Sequence, residues 1–300
     1  MMKKENKSKT HFFLKHPILS GIGFLLFYQV IADLLKLGKE FLPNQPVIMA
    51  VYQFAFTAGL SFLMALWVKK ALKNGFTLGF TGKNLLECLK FGWVFPAMII
   101  IELIIGEAPL SALSNVTFTG ILTALILAAS AGFSEEFILR SMTANTMMTA
   151  WLNKKNGVYT AMIASSVIFG LAHAFNIAIV GLTPNVVWQV LYAFALGLVF
   201  SAMFLRTKNI WGCIIMHTLV DFVSFLWAGG SSTVENLQAS LTGGFTLIGL
   251  IYRAVLFVTA VAVALYLVRP SKQDEIKANF AGEETEKEEK VSKKLAAQAA

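Results

Sequence analysis

Long apolar segments dominate this 300-residue chain and limit what it can fold into. A helix needs about 20 mainly apolar residues to cross the roughly 30 Å hydrocarbon core of a bilayer. Unpaired backbone groups are not tolerated in lipid, so segments of this kind must be helical. We therefore predict an all-α fold, a polytopic transmembrane helical bundle of about eight spans. The spans are predicted at residues 17–37, 47–68, 91–105, 119–140, 158–180, 188–205, 210–228 and 245–268.

The composition agrees with a membrane protein and excludes two other classes. Hydrophobic residues make up 56% of the chain and charged residues 14%, against about a quarter charged in a typical soluble domain. The formal net charge of +8 arises from short clusters of Lys and Arg between the apolar segments. Such clusters are typical of membrane loops rather than of a nucleic-acid-binding surface. A soluble enzyme and a nucleic-acid-binding protein are therefore excluded, and the lipid bilayer is an expected partner.

The cations also predict the orientation of the chain. With eight spans, 21 of the 25 Lys and Arg residues fall on one side of the membrane, and cytoplasmic loops carry the excess of these residues. Both termini are therefore predicted to be cytoplasmic. The many Lys residues, the few Arg residues and the short N-terminal tail favour a bacterial plasma membrane.

The charge pattern also divides the chain into three parts. A basic tail (1–16) precedes the transmembrane domain (17–268), whose catalytic spans are predicted at about 119–228. The charged tail (269–300) is rich in Lys and Glu and almost free of aromatic residues. We expect this tail to be disordered or a frayed helix.

Ionisable side chains inside a span need a specific reason, because each costs at least ~2.5 kcal/mol to insert. In the fourth predicted span, Glu136 and Arg140 lie four residues apart, share one helix face and can form a buried ion pair. Glu135 points about 100° away from that face and has no partner on its own helix. A free carboxylate in a low-dielectric setting is a suitable general base near neutral pH.

Two further spans carry the intramembrane histidines. Phe169 and His173 share a face in the fifth span, so the ring can lie beside the imidazole, and His217 and Asp221 share a face in the seventh. Together the three patterns predict one polar cluster that holds a water. His173 lies about 15 residues from the cytoplasmic end of its span and His217 about seven, so tilt or an extension of span five must bring them level.

The remaining intramembrane charges and the two cysteines are expected to be structural. Arg253 is predicted to snorkel or to pair with a carboxylate, and Glu102 to snorkel at the outer end of span three. Cys88 and Cys213 are too few for a disulfide or metal framework, and we predict buried, inert thiols.

The three patterns resemble the ordered motifs of the CPBP family, the CAAX proteases and bacteriocin-processing enzymes, also called the Abi family. The resemblance covers roughly residues 119–228 and implies an intramembrane glutamic endopeptidase that needs no cofactor. The motifs read, in this chain, Glu135-Glu136-x-x-x-Arg140, Phe169-x-x-x-His173 and His217-x-x-x-Asp221.

The resemblance also implies a role for each residue of the first two motifs. Glu135, assisted by His173, would activate a water that attacks a peptide carbonyl. Glu136 and Arg140 match the positions that support and orient this glutamate.

The third motif departs from the eukaryotic CAAX members in one residue. His217 and Asp221 match the positions that stabilise the oxyanion or orient its donor, but those members have Asn where this chain has Asp221. An ionised Asp cannot donate a hydrogen bond to an oxyanion. Asp221 is therefore either protonated or holds His217 as a charged donor.

Several alternatives remain open. Glu135, His173, His217 and Asp221 would also make a plausible Zn²⁺ ligand set, although no His-Glu-x-x-His helix is present. Within the family, the substrate would be a peptide or protein such as a bacteriocin precursor, or the protein would confer bacteriocin self-immunity. A proton-coupled transporter is the alternative from another class, because carboxylates and histidines also form proton relays. The oligomeric state stays open.

Overall fold

The protein is a bundle of membrane-length helices, as predicted. A computed structural model describes residues 12–72, 76–105, 116–227 and 246–281, and in these ranges it contains helices and turns but no strand. The helices are α1 (Phe12–Lys15), α2 (Pro17–Asp33), α3 (Leu35–Lys39), α4 (Pro46–Leu72), α5 (Leu85–Phe91), α6 (Val94–Ile105), α7 (Phe118–Glu136), α8 (Asn145–Ala150), α9 (Gly157–Ala172), α10 (Ile177–Val180), α11 (Pro184–Thr207), α12 (Ile210–Trp227), α13 (Leu247–Leu267) and α14 (Gln273–Phe280).

Each of the eight predicted segments has a helical counterpart. Six helical stretches are long and apolar enough to cross a membrane. A seventh span forms if α5 and α6, which are bent by 40° at a short break, are counted together. The shorter apolar helix α12 accounts for the last segment. The predicted fold class is confirmed, and the cytoplasmic placement of both termini stays a prediction.

Three of the membrane helices begin at a threonine cap. The side chain of Thr117 accepts a hydrogen bond from the Gly120 amide at the start of α7. Thr183 and Thr246 do the same at the starts of α11 and α13. Each cap satisfies one of the amide groups that the first turn of a helix leaves without an intrahelical partner.

The fourth predicted span is longer than expected. Instead of ending after Arg140, the helix continues from Phe118 to Ala150 through a π-helical segment, Phe137–Ala144, in which every side chain is buried. Short π-helical segments wrap one extra residue into a turn and are frequent at functional sites. Glu135 and Glu136 therefore lie near the middle of this helix and not at its end.

Two helices form the centre of the bundle. The extended helix from Phe118 to Ala150 and α11 bury 56% and 61% of their membrane windows, against 18–28% for the other four long helices. α7 packs against α4 and α12, whereas α11 packs against α9 and α13. The other helices form the periphery, and large apolar side chains of α2, α4 and α13 are exposed at its surface. This arrangement suits a protein surrounded by lipid.

The first part of the charged tail differs from the expectation of disorder or fraying. α14 is packed against the bundle, with Ile276 completely buried and Phe280 in contact with Phe204. Asn279 donates a hydrogen bond to the carbonyl of Arg206, and Glu275 pairs with the Arg206 guanidinium at 3.3 Å. Apolar burial and these polar contacts stabilise a segment that composition alone marks as solvated. The rest of the tail, residues 282–300, lies outside the described residues.

The charges at this contact also affect a carboxyl group outside the membrane spans. A hydrogen bond from Lys272, with a further contribution from Arg206, holds the pKa of Glu275 below its ordinary value. Glu275 is therefore ionised near neutral pH, which allows the pair with Arg206.

Candidate active site

Glu136 accepts two hydrogen bonds from cationic or ionisable side chains in the interior of the bundle. Arg140 Nη1 donates to Glu136 Oε1 at 2.8 Å, which confirms the i,i+4 pair expected from the sequence. The same oxygen lies 2.8 Å from His217 Nδ1, a contact that the sequence did not predict. Glu136 and Arg140 are completely buried. A buried carboxylate that accepts hydrogen bonds from two separate helical elements is held in one orientation, and its removal would leave both donors buried without this partner.

His217 lies between Glu136 and two further carboxylates. Since Nδ1 faces a carboxylate, it carries the proton and donates to Glu136. Its other nitrogen, Nε2, lies 3.6 Å from Asp221 Oδ2 and 3.8 Å from Glu135 Oε2. These separations are electrostatic contacts and are too long for direct hydrogen bonds. Glu135, Glu136, Arg140, His217 and Asp221 therefore form one group, which we call the glutamate–histidine cluster.

The two adjacent glutamates differ in their access to the surroundings. The Glu135 side chain is 35% exposed, whereas that of Glu136 is 0% exposed. Asp221 is intermediate, with 25% exposure. The sequence prediction of one carboxylate held in an ion pair and one left accessible agrees with this geometry, and the catalytic roles of the two residues stay a prediction.

His173 is placed next to the cluster by an irregular helix end. α9 stops at Ala172, and His173 opens a 3₁₀ turn that ends at Asn176. Its Nδ1 lies 3.0 Å from the carbonyl oxygen of Phe169. Because a carbonyl only accepts, Nδ1 carries the proton, which leaves Nε2 of the neutral ring able to accept one.

The phenyl ring of Phe169 connects His173 to the glutamate–histidine cluster. Its centroid lies 5.1 Å from that of His173 and 5.9 Å from that of His217. Within the described part of the chain, no hydrogen bond or ion pair joins His173 directly to the cluster. The structure thus brings five of the six predicted site residues into one network. The sixth, His173, is separated from this network by the ring of Phe169.

The continuation of the fourth span removes the difference in depth that the sequence suggested. Glu136 lies 14 residues before Ala150, and His173 lies 16 residues after Gly157. These helix ends flank the same short turn, so the two side chains come to similar depth. Tilt or an extension of span five was predicted to bring His173 level with His217, and the structure shows in addition an extension of span four, which carries Glu136, the partner of His217.

Close helix contact at glycine brings the cluster together. A Cβ at Gly132 would lie 2.6 Å from Thr218 Oγ1 and 3.1 Å from the carbonyl oxygen of Ile214. The backbones of α7 and α12 approach closely here, as small residues allow in membranes. One turn later on α7, Glu136 reaches His217. Gly132 is thus the residue that permits the hydrogen bond between these two helices.

α11 contributes two contacts to the cluster that were not predicted from the sequence. The carbonyl of Gly197 accepts a hydrogen bond from Arg140 Nη2 at 3.2 Å. The ring of Phe200 stacks on His217 with a centroid separation of 5.1 Å and an interplanar angle of 19°. No sequence signal distinguishes Phe200 from the other 24 phenylalanines of the chain. The small residues around Gly197 are the one hint of a close helix contact.

The same side chains include the four that the sequence offered as a Zn²⁺ ligand set. In residues 12–72, 76–105, 116–227 and 246–281, no group of three or more His, Cys, Asp and Glu side chains has an arrangement that could hold a metal ion. Cys88 and Cys213 are buried free thiols, as predicted from the sequence.

A second polar contact lies elsewhere in the bundle. Tyr252 donates a hydrogen bond to Glu102 Oε1 at 2.9 Å. Glu102 was expected to snorkel, but it is held by a hydroxyl group of α13. The guanidinium of Arg253 lies 5.5 Å from the ring centroid of Trp188, a cation–π contact that the sequence did not predict.

One part of the chain is similar to a known protein family. Residues 115–223, 109 of the 300, match the family model described as "Type II CAAX prenyl endopeptidase Rce1-like". No curated protein and no solved structure matches the chain. The matched segment contains all six predicted site residues and excludes Glu102 and Tyr252. The segment that builds the glutamate–histidine cluster is therefore similar to the Rce1-like type II CAAX prenyl endopeptidases.

Proposed function

We propose that the protein is an intramembrane endopeptidase in which Glu135 and His173 activate a water for attack on a peptide bond. The observation that carries the proposal is the asymmetry around His217. Its Nδ1 donates a hydrogen bond to Glu136, whose carboxylate is completely buried, while its Nε2 faces the more accessible carboxylates of Glu135 and Asp221. The match to an endopeptidase family over residues 115–223 supports the same activity.

The first step requires a base with access to water. Glu135 is exposed enough to meet a water, and its neighbour Glu136 is occupied by Arg140 and His217. In the proposed step, Glu135 takes a proton from the water while the water oxygen attacks the carbonyl carbon. His173, with Nε2 free to accept, orients the same water. The proton on Glu135 then passes to the amine as the peptide bond breaks.

The second requirement is a donor for the oxyanion. His217 fits this role, because Glu136 fixes its ring from the Nδ1 side and leaves Nε2–H directed toward the accessible carboxylates. A preorganised donor in a low-dielectric site stabilises the charge that develops in the transition state. Asp221, at 3.6 Å, favours the protonated imidazole by its charge. We propose this electrostatic role for Asp221 in place of direct donation to the oxyanion.

The substrate is proposed to be a peptide or protein that reaches the site from the membrane. The matched family is named for prenylated CAAX substrates, and a farnesylated peptide is therefore one probe. A bacteriocin-type precursor peptide without a lipid is the second probe, in line with a bacterial plasma-membrane location. Cleavage of one and not the other decides between these substrate classes.

The activity can be tested on the full chain in proteoliposomes. We expect the wild type to cleave internally quenched peptides, and Glu135→Gln or His173→Ala to reduce turnover by about 10²–10⁴-fold, the usual contribution of a general base. Glu102→Gln is the matched control, because it neutralises an intramembrane carboxylate outside the matched segment. This control is expected to cleave at the wild-type rate.

Three results would contradict the proposal. Equal cleavage by the wild type and Glu135→Gln would remove Glu135 from the reaction. Loss of activity with a chelator and its recovery with Zn²⁺ would favour the metal alternative. Proton-coupled uptake into the same liposomes without peptide cleavage would instead identify a transporter.

A further inference from the structure

The ring of Phe200 contacts both side chains that donate a hydrogen bond to Glu136, namely Arg140 and His217. Its ring stacks on His217 at 5.1 Å, and the guanidinium carbon of Arg140 lies 5.1 Å from its centroid. Phe200 lies on α11, whereas Arg140 and His217 come from two other elements. Phe200 therefore contacts both groups that bind the Glu136 carboxylate. The Phe169 ring also lies near both, 4.7 Å from the Arg140 guanidinium carbon and 5.9 Å from the His217 ring centroid, but only Phe200 stacks in parallel on His217 among the described residues.

The ring is itself held firmly. Phe95 stacks on Phe200 with a centroid separation of 4.3 Å and an interplanar angle of 16°. Phe200 is buried to 1% exposure, and Phe95 is completely buried. On the same helix, one turn earlier, the Gly197 carbonyl accepts a hydrogen bond from Arg140. The ring and the carbonyl thus fix Arg140 from one rigid surface of α11.

The contact has an electrostatic consequence. Arg140 and a protonated His217 place two positive charges beside the single carboxylate of Glu136. The face of an aromatic ring carries negative potential, and its attraction for a cation is strongest when both are removed from water. Phe200 therefore adds a stabilising contact for both cationic groups from the side of α11, in addition to the carboxylates of Glu136, Glu135 and Asp221.

We propose that Phe200 is a positioning residue: its ring holds the His217 imidazole and the Arg140 guanidinium in the geometry in which both reach Glu136. The inference rests on the proposed endopeptidase function, in which His217 supports the oxyanion. Phe200 does not touch the reacting atoms and acts through these two side chains. The sequence motifs do not include it, because it lies on a helix between the second and third motifs.

Fluorinated phenylalanines at position 200 separate electrostatic positioning from space filling. Each added fluorine weakens the cation–π attraction while changing the ring volume little. We expect kcat for a quenched peptide to fall progressively, by about tenfold at three fluorines, with KM nearly unchanged. The melting temperature of the protein in detergent should fall in the same order.

Phe204 provides a matched control on the same helix. It is completely buried like Phe200, and its ring contacts Phe280. Among the described Lys and Arg residues, none lies over the Phe204 ring. The same fluorine series at position 204 is therefore expected to leave kcat and the melting temperature close to their wild-type values.

The outcomes distinguish failure of the inference from failure of the proposed function. One outcome is that the fluorine series lowers kcat no more at position 200 than at position 204, while Glu135→Gln is inactive. In that case the inference is overturned and the proposed function stands. A melting-temperature trend without a kcat trend likewise overturns the positioning role. If Glu135→Gln is as active as the wild type, the proposed function fails. The melting temperatures then still decide whether Phe200 stabilises the two cationic groups.

Discussion

Two polar contacts between helices of the bundle differ in their burial and in their chemistry. In the glutamate–histidine cluster, a completely buried carboxylate binds an arginine and a histidine from separate helical elements. At the α6–α13 contact, the Glu102 carboxylate instead accepts a hydrogen bond from the neutral Tyr252 hydroxyl. An apolar cavity of about 470 Å³, lined in part by Met98 and Tyr252, lies between these two helices.

This difference shows how a membrane bundle fixes a reactive site. Charges in a low-dielectric interior require close opposite charges, so each cationic group in the cluster is fixed by several contacts at once. The hydrogen bond between Tyr252 and Glu102 is only partly buried, and it lies outside the matched segment. We therefore expect the cluster to be sensitive to single substitutions and the Glu102 contact to be tolerant of them.

The largest stability effect is expected for Glu136→Ala. Removing this carboxylate leaves Arg140 and His217 buried without their shared partner, which is expected to cost about 3–5 kcal/mol of unfolding free energy. Denaturant titration of the purified protein in detergent measures this loss. The control is Glu275→Ala, which removes a half-exposed carboxylate from Arg206 and should cost about 1 kcal/mol or less. Equal losses of unfolding free energy in Glu136→Ala and Glu275→Ala would contradict the expected sensitivity of the glutamate–histidine cluster.

An intermediate effect is expected for Gly132→Ala. The added methyl group would meet Thr218 and the backbone of α12 at 2.6–3.1 Å, so α7 and α12 must separate. We expect a loss of about 1–3 kcal/mol, and reduced cleavage because Glu136 moves away from His217. Gly23→Ala is the matched control, since nothing lies within 4 Å of a Cβ at that helical position. A Gly132→Ala variant as stable and active as Gly23→Ala would contradict close helix contact as the basis of the site.

The smallest effect is expected for Tyr252→Phe. This variant deletes one hydroxyl hydrogen bond to Glu102 and should cost about 1 kcal/mol of stability. Cleavage should remain at the wild-type rate, because Tyr252 lies outside the matched segment. A loss of cleavage without a loss of stability would show that the two polar groups are coupled and would end the distinction between them.

The sequence predicted the fold class well because the bilayer imposes a simple rule. Apolar length marks a span, and the eight predicted segments all correspond to helices. The helix ends were less predictable. The extension of span four to Ala150 and the packed α14 depend on burial by distant parts of the chain, which local hydropathy does not report.

The candidate site was predictable where its residues share a helix. The Glu136–Arg140 pair follows from i,i+4 spacing and is present at 2.8 Å. The contact between Glu136 and His217 joins residues 81 positions apart, and the stacking of Phe200 on His217 has no local signature. Spacing along one helix cannot reveal either contact, because both depend on how three helices pack.

The amino-acid sequence by itself determined that this protein lies in the membrane and which few ionisable residues must be kept from lipid. Hydropathy and helical periodicity are properties of a single segment, so they can be read without knowing the neighbours of that segment. Only the tertiary structure decided that His217 also binds Glu136 and that the ring of Phe200 contacts both cationic groups. These properties arise from close approach between helices at Gly132 and Gly197. In a low-dielectric interior, such distances fix the strength of every polar contact.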